Sequence, residues 1–120
     1  MKMVVNLMLG AAMASFSEAM VLGESLGFNK ETLFNTLLGG AVTAPYLSLK
    51  REKLENDLYE SDFPLQWMHK DLQLIYETAE ENNITLHTVN TVEKEFAKAE
   101  QKGFGDMDFS ALYKYLVAKE

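Results

Sequence analysis

The chain contains no cysteine and only two prolines in 120 residues. Without cysteine there is no disulfide framework, no thiolate nucleophile and no Cys-ligated metal. That fits a reducing compartment, and a cytoplasmic location is expected. Positive charge is also scarce: 11 Lys and Arg face 18 Asp and Glu, for a net charge of −7. The basic residues are dispersed, so neither nucleic acid nor an anionic membrane surface is an expected partner. No Gly-rich phosphate loop is present, neither a G-x-G-x-x-G after a strand nor a P-loop. His69 and His87 lack the H-E-x-x-H spacing of a zinc site, and Ser15 and Ser17 lack the G-x-S-x-G elbow of a serine hydrolase. No segment is strand-rich, and there is no internal repeat.

What remains is helix after helix. Hydrophobic residues make up 48% of the chain and charged residues 24%, enough apolar material for one compact domain with its own core. Residues 1–26 are apolar on nearly every side, which predicts a long buried helix at the centre of a bundle or against another domain. Gly27 ends it. The apolar run over residues 3–14, after Met1 and Lys2, also has the look of a short signal peptide. That leaves open a secreted helical domain whose mature form starts at Ser15. Asn6, Glu18 and Glu24 interrupt the run and speak against secretion and against a spanning helix.

Asn29 is placed to cap a short helix over residues 30–38, with Glu31 in its first turn. Pro45 can open another over 45–54, followed by a polar loop over 55–62. Pro64 opens a helix to about residue 81, in which Leu65, Met68, Leu72, Ile75 and Ala79 keep helical spacing. A further helix over 86–102 carries Val89, Val92, Phe96 and Ala99 on one face. Gly103 is its natural C-cap, and Asp108 caps a last helix.

Lys2 and Asn6 lie four residues apart, on one face of the first helix, and Gly10 continues that face. The plain alternative is an exposed lysine near a chain end, and spacing alone favours it. Phe63, Trp67, Lys70, Asp71 and Leu74 cluster around the helix that starts at Pro64. Taken alone they read as an aromatic core stripe with solvated charges.

In combination the blocks resemble a known family. Lys2 and Asn6 resemble the K-x-x-x-N signature of the β-hydroxyacid dehydrogenases, and Phe16 to Ala19 is similar to the continuation of that helix. Phe63, Leu65, Lys70 and Asp71 resemble the family's F-x-L-x-x-x-x-K-D, and residues 103–111 its G-x-G-D-x-D-x-S-A. The wording is closest to the glyoxylate and succinic semialdehyde reductase branch, with the 3-hydroxyisobutyrate dehydrogenases as near relatives.

The resemblance implies an all-α bundle like the C-terminal domain of 6-phosphogluconate dehydrogenase. It implies a Rossmann domain as partner, absent from these residues, which binds most of the NADP or NAD. It also implies a small hydroxyacid or semialdehyde substrate and a homo-oligomer. By the same resemblance Lys2 is the catalytic proton carrier. Asn6, Phe63 and Asp71 contact the substrate, and Lys70 reaches the cofactor. Lysines become useful acid–base groups near neutral pH when a closed cleft desolvates them.

Two positions depart from the family pattern. Val5 stands where Asn is common, on the active-site helix itself, and His87 stands near a usual Pro. The second reading is a non-catalytic helical module whose task is dimerisation. Retention of Lys2 favours the enzyme. The chain alone is expected to be inactive and, by calorimetry, to bind NADPH weakly or not at all. Tight NADPH binding by these 120 residues would overturn that expectation.

Overall fold

The computed structural model describes residues 1–118, and among them it is helical with no strand. Six α-helices form: α1 Lys2–Ser25, α2 Lys30–Leu37, α3 Arg51–Asn56, α4 Leu65–Glu81, α5 His87–Ala99 and α6 Leu112–Ala118. A 3-10 segment, Pro45–Lys50, leads into α3. Another, Phe109–Ala111, leads into α6, and a π-type turn, Glu100–Phe104, extends α5. The expected all-α bundle is therefore the observed architecture.

The helix signals act as expected at several ends. The Asn29 side chain accepts a hydrogen bond from the Thr32 amide at 2.8 Å, satisfying one of the free donors of α2. Gly103 takes φ +98°, a conformation that side chains disfavour, and there the helical path of α5 breaks. Other boundaries differ from expectation. Residues 45–54 are not one α-helix, because the first turn is 3-10 and the α-helical part starts only at Arg51. The expected loop over 55–62 is shorter, since α3 continues through Asn56 and ends at Asp57 in the left-handed region. At the junction the buried side chain of Lys50 reaches inward to an acid 58 residues away.

The core is built where helical stripes converge. Met13, Phe16 and Met20 of α1 meet Leu65, Met68, Leu72 and Ile75 of α4 and Val92, Phe96 and Ala99 of α5. Phe34 stacks on Phe16 with ring centroids 6.4 Å apart, and Leu112 of α6 is also buried. Each such aliphatic or aromatic side chain contributes about 1.5–3 kcal/mol on burial. Burial of α1 is uneven, however. Its second half is a core helix, whereas Val4, Val5 and Met8 stay 61%, 55% and 65% exposed. Near its start α1 meets α4 through Met3 and Asn6, while Val4, Val5 and Met8 are left largely uncovered by the described residues. The same helix is long and apolar enough to cross a membrane by length and composition. It also packs against α2, α4, α5 and α6.

One polar knot sits inside this apolar frame. Asp108 is fully buried. Its Oδ1 accepts from the Asp62 and Phe63 amides at 3.0 and 3.2 Å, and its Oδ2 accepts from the Ser110 amide and hydroxyl at 3.1 and 2.6 Å. Lys50 Nζ lies 3.1 Å from Oδ2 and 4.9 Å from the centre of the Phe109 ring. The adjacent backbone completes the knot. The Leu65 amide donates to the Met107 carbonyl at 2.7 Å, and the Gln66 amide to the Gly105 carbonyl at 3.0 Å. The first turn of α4 is thus capped by the backbone of residues 105–107 rather than by its own N-cap side chain.

Burial alone would raise the Asp108 carboxyl. The Ser110 hydroxyl and amide, the Asp62 amide and the Lys50 ammonium outweigh it and hold the group below its ordinary value. A carboxyl lowered in the folded state stabilises the protein above its unfolded value, and that stabilisation is lost as pH falls through the folded value. Asp108→Asn should therefore cost about 3 kcal/mol in urea unfolding at neutral pH, because Lys50 loses its buried partner. The cost should shrink on acidification, as the wild type surrenders the same stabilisation. A variant as stable as wild type at neutral pH would contradict this.

A cleft between the first and fourth helices

The candidate site begins with a close helix approach. At Gly10 of α1 an added Cβ would lie 3.1 Å from Met68 Sδ and 3.3 Å from a Leu72 methyl group. The missing side chain is what brings α1 onto α4 here. Tyr46 fixes the same stretch from the other side by donating to the Leu9 carbonyl at 2.6 Å. The helices run in opposite senses, so one turn before Gly10 the side chain of Asn6 meets Asp71. Asn6 Nδ2 donates to Asp71 Oδ2 at 2.9 Å. Further along, Thr78 Oγ1 lies 3.5 Å from Met3 Sδ.

These contacts frame a cleft of about 280 Å³ lined by Lys2, Met3, Asn6, Asp71, Leu74 and Ile75. Lys2 is exposed, and among the described residues no carboxylate pairs with it. The cleft therefore offers an unpaired ammonium, one amide with its orientation set by a carboxylate, and an apolar floor. That set can bind and orient a small oxygen-bearing anion and exchange a proton with it.

The structure brings together three of the five residues singled out from sequence: Lys2, Asn6 and Asp71. Lys70 lies round the helix from Asp71 and lines a second cleft of about 390 Å³ with Gln66, Trp67, His69, Gln73 and Glu100. Its ammonium sits 5.4 Å over the Trp67 ring, again with no carboxylate partner among the described residues. The cleft offers an anion this cation and two side-chain amides, although Gln66 Nε2 already donates to Asp106 Oδ1 at 3.0 Å and Glu100 stands in the same cleft. Phe63 sits apart from both clefts. Its ring packs edge-on against Phe109 with centroids 5.9 Å apart, and its backbone carbonyl accepts from the Phe109 amide at 2.8 Å.

Sequence reading missed two clusters. One is the Lys50–Asp108 knot. The other is His69, whose ring nitrogens contact Glu93 at 2.8 Å and Glu100 at 2.6 Å. The partners lie 24 and 31 residues away along the chain, so no local spacing signals them.

The architecture is that of a helical bundle with an open cleft of Lys2, Asn6 and Asp71 between α1 and α4. A family model described as "NAD-binding of NADP-dependent 3-hydroxyisobutyrate dehydrogenase" matches residues 1–116, and the chain belongs to that family. It is 35% identical over 112 residues to glyoxylate/succinic semialdehyde reductase 1 of Arabidopsis thaliana, covering 93% of this chain and 39% of the relative. The chloroplastic reductase 2 of the same plant is 33% identical over 98% of this chain and 33% of its own length. The chain thus spans between a third and two fifths of these relatives. Among solved structures, a 3-hydroxyisobutyrate dehydrogenase from Salmonella typhimurium superposes with a TM-score of 0.88. It is 24% identical, with 94% of this chain and 40% of that one covered, and this likeness shows the shared fold.

Gly10→Val should push α1 off α4, cost about 1–3 kcal/mol and break the Asn6–Asp71 bond. A shift of the Asn6 side-chain amide signals in an NMR spectrum would report it. Gly10→Ala should be milder, because the Met68 sulfur can give way. Unchanged Asn6 signals in folded Gly10→Val would contradict the role given to this glycine.

Proposed function

We propose that this chain is the helical, substrate-side domain of an NAD(P)-dependent oxidoreductase. The proposed reaction interconverts a small hydroxyacid and its oxo acid or semialdehyde, of the glyoxylate, succinic semialdehyde or 3-hydroxyisobutyrate type. The observation that carries this reading is an unpaired Lys2 one helical turn from Asn6, with the Asn6 amide fixed by Asp71. The plant relatives named as glyoxylate/succinic semialdehyde reductases support the substrate class.

In this reading Lys2 exchanges a proton with the substrate's reacting oxygen. It takes the hydroxyl proton in oxidation and, as the ammonium, returns it to the carbonyl oxygen in reduction. Asn6 has one N–H committed to Asp71, which leaves its other N–H and its oxygen to hold the substrate. Leu74 and Ile75 give that face of the cleft an apolar lining. The nicotinamide cofactor, when bound, supplies the hydride chemistry. On this chain Lys70, with Gln66 and Gln73, would hold its polar groups.

The open wall requires a partner. The exposed side of α1 at Val4, Val5 and Met8 suits coverage by a Rossmann domain, and without that domain the fragment is inactive. Self-association is also proposed. An apolar groove of about 610 Å³, bounded by Met8, Ala12, Phe16, Val42, Ala44 and Leu47, runs along the other flank of α1. Light scattering that finds only monomers would count against this.

The central test is turnover by the complete enzyme with the three substrate types. Lys2→Ala should lower kcat by about 10²–10⁴ while the cofactor KM changes little. Near wild-type kcat for Lys2→Ala would refute the assignment.

A further inference from the structure

His69 stands one residue before Lys70 on α4 and is clasped from two other elements. Its Nε2 lies 2.8 Å from Glu93 Oε2 on α5, and its Nδ1 lies 2.6 Å from Glu100 Oε1 at the start of the π-type turn. Each ring nitrogen that carries hydrogen donates to the glutamate it faces, so the imidazole ties the two acids to α4. The His69 and Glu93 side chains are 16% and 18% exposed, and that of Glu100 is 38% exposed. Glu100 is further held by its packing at Gly105, where an added Cβ would lie 3.2 Å from Glu100 Cγ.

Glu100, His69 and Lys70 line the same cleft. A lysine beside a glutamate in one cleft ordinarily pairs with it. Here the Glu100 oxygen is turned to His69, and the Lys70 ammonium stays over the Trp67 ring, 5.4 Å from its centre. The charged groups facing His69 are Glu93 from α5 and Glu100 from the turn, with Lys70 beside it on its own helix.

We infer that His69 is a positioning residue that holds Glu100 away from Lys70, so that Lys70 remains available to an anionic, phosphate-bearing ligand. The ligand half of this statement rests on the role given to Lys70 under Proposed function. The clasp half stands on the distances alone. Removal of the imidazole leaves two carboxylates without their donor, and Glu100 then pairs with Lys70.

Trp67 is the only tryptophan, so its emission reports on the Lys70 ammonium above it. The test follows Trp67 fluorescence and the Lys70 side-chain ammonium signal by NMR in the 120-residue chain, first without ligand. His69→Gln should shift both signals, and His69→Gln with Glu100→Gln should return them to wild type. Pyrophosphate then serves as the probe. Its affinity should fall roughly threefold in His69→Gln, the scale of one exposed ion pair, and recover in the double variant.

Glu100→Gln alone supplies a check that does not depend on how well His69→Gln folds. It should leave the Lys70 signal unmoved, because that carboxylate never engaged Lys70. A moved signal in Glu100→Gln, or an unmoved one in folded His69→Gln, would overturn the inference. If the signals behave as expected but pyrophosphate binds none of the proteins, the clasp stands and the anion role of Lys70 fails.

Discussion

The buried Lys50–Asp108 pair is the contact on which the arrangement of this domain depends. Its carboxylate gathers the amides of residues 62 and 63, the Ser110 amide and hydroxyl, and an ammonium from the end of the 3-10 segment. Three stretches distant in sequence are thereby pinned at one point, where α4 begins. Because the first turn of α4 takes its backbone partners from residues 105–107, the position of the helix is set by this knot rather than by a local cap. Asp71 lies less than two turns further along α4 and Asn6 faces it from α1, so an error in placing the helix start would pass directly to the cleft. A buried ion pair is a modest source of stability compared with apolar packing, and its contribution here is to fix register.

The cleft combines features that are individually ordinary. Gly10 lets two helices approach, Tyr46 braces α1 from the opposite flank, and Asn6 spends one donor on Asp71. Lys2 and Lys70, like Lys30, Lys94, Lys98 and Lys102, have no carboxylate partner among the described residues, but these two line the two clefts described above. Lys2 and Lys70 both lie beside carboxylates that are already engaged, Asp71 by Asn6 and Glu100 by His69. Lys2 lies in the cleft between α1 and α4, and Lys70 in a second cleft that includes Glu100. An open ammonium, an oriented amide and an exposed apolar helix face together form a surface suited to a ligand held between two domains.

Much of the architecture was legible in the sequence because it is encoded locally. The helical spacing of Leu65, Met68, Leu72 and Ile75, the Asn29 cap and the Gly103 stop each depend on a few neighbouring residues. The face shared by Lys2 and Asn6 follows from helix geometry, and the family resemblance gave that face its meaning. Asp108 was legible as a cap, but its larger role was not, since Lys50 is 58 residues away. The same limit hid the His69 clasp. Phe63 was legible as part of a motif, but its edge-on packing against Phe109, 46 residues away along the chain, was not. The apolar circumference of α1 suggested full burial, yet composition does not reveal which part of a helix its own chain covers. Exposed Val4, Val5 and Met8 mark the part left open.

The most direct measurement of the central claim is a structure of this domain joined to its proposed Rossmann partner, with nicotinamide cofactor and a hydroxyacid bound. The account predicts Lys2 Nζ within hydrogen-bond distance of the substrate's hydroxyl oxygen, with Asn6 holding the same ligand. A substrate seated away from Lys2, with the first turn of α1 still facing solvent, would contradict it.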